Sequence, residues 1–205
     1  MMRRPVGFIL LSILLGFFLS GCPKKVPPPT IFEKPLVGNP VEKILEIFSS
    51  NESLQARASI RIRTVRSGEE MNFALNGFIL YQKPDKLRIL GYHPLGASLF
   101  DALYRDRKFF LLLPLQRKAF TGDDSEFDDL SEKAGPIEVL SERREGSEVP
   151  ERIRIHFVEK ETRIDLRLKD VETNSSLPED SFQWVIPEGV EVASISRLLR
   201  GRNLK

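Results

Sequence analysis

The pattern of apolar and polar positions begins as a helix and then changes to strands. Asn39-Pro40 places a capping side chain before a proline at the first helical position, which is typical of a helix start. Apolar residues then recur at helical spacing as far as Phe48. From Ala56 to Arg63 apolar or small residues alternate with polar ones. This alternation predicts a strand with one buried face and one solvated face.

Alternation of period two recurs along most of the remaining chain. Turn residues such as Ser67-Gly68 and Arg105-Asp106-Arg107 separate the alternating segments, as hairpins require. The segment 122–146 is expected to be an acidic, weakly helical insertion, and the basic tail 196–205 a short helix or a disordered end. A long antiparallel meander tends to curl into a barrel, which removes exposed sheet edges and can enclose one small ligand. The further predicted strands are 71–81, 86–90, 97–104, 108–113, 116–121, 152–157, 163–169 and 182–186.

The first 22 residues have the features of a secretion signal. Arg3 and Arg4 precede an apolar run of about 13 residues, which is short for a membrane span. Leu19-Ser20-Gly21-Cys22 follows and resembles the bacterial lipobox. That resemblance implies cleavage after residue 21 and attachment of acyl chains to Cys22, palmitate among them. The alternative is an uncleaved anchor with an incidental cysteine, which the short apolar run disfavours.

Residues 22–38 are rich in proline and lysine, with Pro27-Pro28-Pro29 in the middle. We expect an extended tether that lifts a domain over residues 39–205 from the membrane surface. Pro23 stands where, by resemblance to sorted bacterial lipoproteins, an aspartate would retain the protein in the inner membrane. Pro23 therefore favours the outer membrane.

Composition excludes several other classes of protein. The 205 residues include 41% hydrophobic and 29% charged residues, which indicates one globular domain. Without Arg3 and Arg4 the basic and acidic residues are equal in number, so no net charge favours nucleic acid. One cysteine and two histidines leave little material for a metal site, and no cofactor is expected. No catalytic motif is present, and the acidic run 123–129 is expected to be a solvated loop rather than an acid–base site.

The segment from Gly77 to Gly122 resembles the LolB family. The motifs are Lys83-Pro84-Asp85-Lys86-Leu87-Arg88, and then His93-Pro94-Leu95-Gly96. LolB proteins are outer-membrane receptors that take lipoproteins from the periplasmic carrier LolA. Near the end, the spacing of Phe182, Trp184 and Ile186 before Pro187 and Gly189 is similar to the ending of LolA. His93 departs from the pattern, because LolB-like proteins often have asparagine or glycine there.

The resemblance implies a half-open antiparallel β-barrel, mainly β, with helices covering its mouth and an apolar cavity for acyl chains. It implies a non-enzymatic, monomeric lipoprotein chaperone on the periplasmic face of the outer membrane, which receives lipoproteins from a LolA-like carrier and inserts them. The loop Pro94, Leu95 and Gly96 corresponds to the family's transfer loop, whose leucine protrudes. The apolar strand faces supply the candidate cavity lining: Ile60, Ile62, Phe73, Leu75, Leu87, Ile89, Phe109 and Leu111.

Two other functions remain compatible with the sequence. A carrier of free lipids or of other hydrophobic molecules would have the same fold and a different cargo. A structural or assembly lipoprotein would have a solidly packed barrel and bind only proteins. For each candidate lining residue ordinary core packing is the simpler interpretation, because phase along a strand does not distinguish a cavity from a packed core.

Overall fold

The computed structural model describes residues 29–126, 128 and 135–200, so the predicted signal sequence and Cys22 lie outside the described residues. Three short 3₁₀ turns (Pro114–Gln116, Val158–Lys160 and Glu179–Phe182) punctuate the sheet. The other elements are β1 (Thr30–Phe32), β2 (Leu36–Val37), α1 (Pro40–Phe48), β3 (Ser53–Arg66), β4 (Glu69–Gln82), β5 (Lys86–Tyr92), β6 (Ser98–Arg105), β7 (Lys108–Leu113), β8 (Lys118–Asp123), β9 (Ile137–Arg144), β10 (Arg152–Phe157), β11 (Thr162–Thr173), β12 (Glu191–Ser194) and α2 (Ile195–Arg200).

The strands form one sheet of twelve, in the order β1-β9-β10-β11-β3-β4-β5-β6-β7-β8-β12, with β2 also paired to β9. All described pairings are antiparallel except that of β12 with β8. The sheet is open, because its two end strands, β1 and β12, do not pair with each other. These end strands are short, with three and four residues. The predicted mainly β fold with an open barrel-like sheet is confirmed.

Helix α1 begins where the sequence predicts. The Asn39 side-chain oxygen accepts a hydrogen bond from Val41 N at 3.0 Å, which satisfies one of the free N–H groups of the first turn. Ile44 and Phe48 are buried against the sheet, and the rings of Phe48 and Tyr81 lie 5.6 Å apart. We call the sheet face on which α1 packs the inner face, and the opposite one the outer face.

The sheet curls around α1. Helix α1 contacts β9, and the ring of its Phe48 also lies 5.6 Å from that of Tyr81 on β4, four strand spacings from β9. Neighbouring strands lie about 4.8 Å apart, so a flat sheet would hold β9 and β4 about 19 Å from each other. The hydrophobic core therefore lies between α1 and the inner face of a strongly curved sheet.

Two predicted segments differ from the structure. Residues 137–144, which fall in the predicted helical insertion, form β9 and pair with β1, β2 and β10. Residues 182–186 form no strand, because arginine side chains from β5 and β6 bind the carbonyl oxygens of Ser181 and Phe182. The part of the predicted basic tail that the structure describes lies in α2, which ends at Arg200.

The predicted tether also overlaps the sheet. Pro29 O accepts a hydrogen bond from Glu145 N at 3.2 Å, and residues 30–32 and 36–37 are β1 and β2. From Pro29 onward the chain therefore lies on the sheet edge. Among the described residues, no helix has the length and apolar character needed to cross a membrane.

Candidate functional site

All eight candidate lining residues lie on the inner face. Strand register places Ile60 opposite Leu75 and Ile62 opposite Phe73. Leu87, on β5, stands opposite Tyr81, an inner-face residue of the core. The strand register continues from β5 through β6 to β7, so the other candidates on these strands also lie on the inner face. They are Ile89, Phe109 and Leu111.

The inner face is divided into a closed part and an accessible part. Ile60 and Leu87 are fully buried in the core, so they pack the fold rather than line an accessible surface. Phe73 is 47% exposed. The partly accessible remainder of the candidates is Ile62, Leu75, Ile89, Phe109 and Leu111.

A pair of glycines shapes the middle of this face. Gly77 on β4 stands opposite Gly91 on β5. A Cβ atom at Gly91 would lie 2.1 Å from Cε1 of Phe100, and one at Gly77 would lie 2.7 Å from Cδ1 of Ile60. Both glycines therefore allow neighbouring side chains to lie flat over the strand backbone.

One end of the sheet carries exposed apolar side chains. In an antiparallel meander alternate connections lie at the same end, so the β3–β4, β5–β6 and β7–β8 connections share one end. Leu95 in the β5–β6 connection is 89% exposed, and Leu115 in the β7–β8 connection is 69% exposed. Val158, in the β10–β11 connection, is exposed at this end as well, because β11 starts where β3 ends. We call these connections the apolar rim.

The loop that presents Leu95 is held by backbone and side-chain hydrogen bonds. His93 N donates to Ala97 O at 2.8 Å, and Gly96 N donates to His93 O at 2.7 Å. Leu95 N donates to Nδ1 of His93 at 3.2 Å, so His93 orients the loop in the place where the family often has asparagine or glycine. Gly96 adopts a φ of +93°, which favours glycine. The Leu95 side chain consequently points away from the core.

Leu115 is a residue of this rim that the alternation of apolar and polar positions does not reveal. It lies in the 3₁₀ turn Pro114–Gln116, whereas the alternation predicts a strand that begins at residue 116. A large apolar residue directly after Pro114 and before the polar Gln116 is the signal that identifies it as a turn residue facing solvent.

Charged side chains hold residues 181–186 on the outer face of the sheet, and we call these residues the C-terminal segment. Arg88 and Asp101 form a two-armed ion pair, with Nε–Oδ1 at 2.9 Å and Nη2–Oδ2 at 2.6 Å. Nη1 of Arg88 also donates to Ser181 O at 2.7 Å, and Nη1 of Arg105 donates to Phe182 O at 2.6 Å. The hydrogen bonds that Arg88 donates to Asp101 are the largest cause of the raised pKa of Arg88. The Trp184 ring packs on Phe110 at 5.3 Å, which fixes the end of the segment.

The carboxylates in the described part of the acidic run form hydrogen bonds that fix the local structure. The Tyr104 hydroxyl donates to Asp124 at 2.8 Å, and burial, followed by this bond, raises the pKa of Tyr104. Arg107 Nε donates to the other Asp124 oxygen at 2.8 Å. Asp123 accepts from the Ser125 hydroxyl and from Glu126 N, which lowers the pKa of Asp123. The run is therefore tied to β6 and its turn, rather than forming only a solvated loop.

Comparison with known proteins gives similarities of fold. A LolA superfamily protein from Nitrosomonas europaea is 11% identical and matches with a TM-score of 0.43, over 70% of this chain and 97% of that one. A domain described as an outer membrane lipoprotein-sorting protein from Vibrio parahaemolyticus is 12% identical with a TM-score of 0.40, over 70% and 97%. A DUF1329 family protein from Desulfovibrio piger is 10% identical with a TM-score of 0.41, over 71% and 95%.

No protein-family model matches the chain, and no curated protein matches it.

Proposed function

We propose that this chain is a non-enzymatic lipoprotein of the outer membrane that holds acyl chains on its inner face and delivers lipoproteins into the bilayer. The observation that carries the proposal is the joining of two apolar surfaces. The accessible half of the inner face, which includes Ile62 and Phe73, runs toward the same end of the sheet as the apolar rim. The inner face and the exposed Leu95 and Leu115 side chains therefore meet at the end of the sheet where an acyl chain would pass to a bilayer.

The energetics support transfer rather than storage. Each methylene removed from water contributes about 0.8 kcal/mol. A surface that stays partly open, as at Phe73, covers a chain less completely than a bilayer does. The free energy of the acyl chain then decreases on passing to the membrane, and the transfer requires no nucleotide. A LolA-like carrier is the proposed donor, and lipidated Cys22 holds the protein at the acceptor membrane.

In this proposal Leu95 contacts the bilayer or the acyl chain that is leaving the inner face. Exposing a leucine forgoes roughly 1.5–3 kcal/mol of burial, which is too small to anchor a protein that acyl chains already hold. Insertion of one exposed leucine, with Leu115 beside it, instead opens the lipid surface locally at the place where the cargo leaves.

The test is a transfer assay with the lipidated protein in vesicles, in which a labelled acylated lipoprotein passes from a soluble carrier to the membrane. Leu95→Glu is expected to lower the transfer rate at least tenfold while the protein still takes the lipoprotein from the carrier. Val185→Glu is the matched control, because Val185 is 73% exposed but belongs to the C-terminal segment. Normal transfer by the Leu95 variant would remove the loop from the mechanism.

A further inference from the structure

The outer face carries a basic groove that the proposed function does not use. It has a volume of about 270 Å³ and lies across β3, β10 and β11. Seven cationic side chains line it and only one carboxylate, that of Asp165. Such an excess is unexpected in a chain whose acidic and basic residues nearly balance.

Among the cations of this groove, only the two on β10 form ion pairs with described carboxylates. Arg152 and Arg154 both bind Glu142 at 3.1 Å, and Arg154 also binds Asp165 at 3.0 Å. The other five groove cations make no ion pair with any described residue. They are Arg61 and Arg63 on β3, and Arg163, Arg167 and Lys169 on β11.

The register forces like charges together. Arg63 stands directly opposite Arg163, and Arg152 stands directly opposite Arg167. Like charges in cross-strand positions destabilise a sheet. The Nε atom of Arg163 is in addition buried and has no hydrogen-bond partner. A bound anion would relieve both costs.

We infer that this groove binds the phosphate groups of anionic lipid headgroups, so that the outer face lies on the membrane surface. Guanidinium groups bind phosphate oxygens in pairs, and six of the seven cations are arginines. The position of Cys22, which the proposed function holds in the membrane by its acyl chains, selects a membrane over a soluble ligand. Thr30 begins β1, which is three strands from β11, or about 14 Å. The eight residues from Cys22 to Thr30 reach at most about 28 Å.

This inference goes beyond acyl binding on the inner face and rests on the proposed function only for the membrane anchor at Cys22. The test uses the chain from Cys22 onward with Cys22→Ser, which carries no acyl chain and contains every described helix and strand. Vesicles of phosphatidylcholine, with or without one third phosphatidylglycerol, are sedimented with the protein. We expect binding to the phosphatidylglycerol vesicles alone, and weaker binding in 300 mM salt than in 50 mM salt.

The groove variant is Arg61→Glu with Arg63→Glu, both on exposed positions. Each cation near an anionic surface contributes about fivefold in affinity, so the variant should bind at least about 25-fold more weakly. The control is Lys34→Glu with Lys108→Glu, which changes the net charge equally at exposed positions outside the groove. The control should lose less than threefold. Circular dichroism and Trp184 fluorescence confirm that each variant is folded.

Three results would overturn the inference. The first is an absence of binding to phosphatidylglycerol vesicles by the unsubstituted chain. The second is an equal loss in the groove and control variants, which would show an effect of net charge alone. The third is binding of glycerol 3-phosphate to the groove by calorimetry without vesicle binding, which would assign the groove to a soluble phosphate compound.

Discussion

At the scale of single residues, packing on the inner face requires glycines, which have no side chain, as well as apolar side chains. Gly77 lies beneath Ile60, and a Cβ there would also approach Leu90 O to 2.5 Å. A backbone oxygen cannot move aside as the end of a side chain can. Gly77 is therefore a position where the strand needs glycine for close packing rather than for a special φ angle.

Gly77→Ala should lower the free energy of unfolding by about 2–3 kcal/mol, since overpacking of a fixed backbone is relieved only by moving strands. Chemical denaturation followed by Trp184 fluorescence measures the loss. Asn76→Ala, on the exposed outer face of the same strand, should change stability by no more than about 0.5 kcal/mol. Equal effects of the two changes would show that the approach to Leu90 O is not limiting.

The Asn39 cap gives a second prediction at this scale. Its oxygen accepts from Val41 N at 3.0 Å, and its amide donates to Asp128 at 3.2 Å. Asn39→Ala removes both bonds and should reduce stability by about 1–2 kcal/mol in thermal or chemical unfolding. Asn39→Ser keeps a capping oxygen and should lose clearly less. An alanine variant as stable as the serine variant would show that the cap does not hold α1 on the sheet.

At the scale of elements, the C-terminal segment is fixed by charge rather than by strand pairing. Asp101→Asn leaves Arg88 without its anionic partner in a site where both side chains are less than one fifth exposed. We expect a loss of about 2–3 kcal/mol and a red shift of Trp184 fluorescence as the segment loosens. Trp184 is the only tryptophan of the chain, so the signal is unambiguous.

Asp170→Asn is the matched control for that change. Asp170 pairs with Arg57 on the exposed outer face and has a φ of +48°, which asparagine tolerates. Exposed pairs contribute about 0–1 kcal/mol, so stability and fluorescence should both stay close to those of the parent. A fluorescence shift of the same size in this control would mean that the Arg88 pair does not fix the segment.

The same elements show why sequence patterns predict some strands and miss others. Around Ile60 and Ile62 apolar and polar residues alternate strictly, because one face of the strand packs on the core and the other faces solvent. This strand, β3, forms as predicted. In β9 the order Ile137-Glu138-Val139-Leu140-Ser141 breaks this alternation, because Leu140 faces outward and Ser141 faces the core. The residues at 182–186 do alternate, but the segment packs on the outer face. The arginines that bind the carbonyl oxygens of Ser181 and Phe182 lie 93 and 77 residues earlier in the chain.

The candidate site was predictable to a similar extent. Strand phase correctly places all eight candidate residues on one face. Their exposure was not predictable, because it depends on which part of the face α1 covers: Leu87 is closed off and Phe73 is not. The basic groove was hidden in the balanced net charge, since only strand order brings β3, β10 and β11 together.

At the scale of the whole molecule, one curled sheet presents two opposite chemistries. The inner face offers apolar contact that ends at the rim of Leu95 and Leu115. The outer face offers cations that suit a phosphate-bearing surface. In the proposed arrangement the lipidated Cys22 and the groove hold the protein on the membrane, which leaves the inner face to accept cargo and the rim to release it.

Binding of acyl chains on the inner face is the property on which the proposed function depends. The most direct measurement is photo-crosslinking of the purified chain with an acylated lipoprotein that carries a photoreactive group on its acyl chain, followed by peptide mass spectrometry. We expect near-stoichiometric labelling of inner-face peptides that contain Ile62, Phe73 or Leu111, and none in peptides restricted to the outer face. An unlabelled protein, or labelling confined to the outer face, would contradict it.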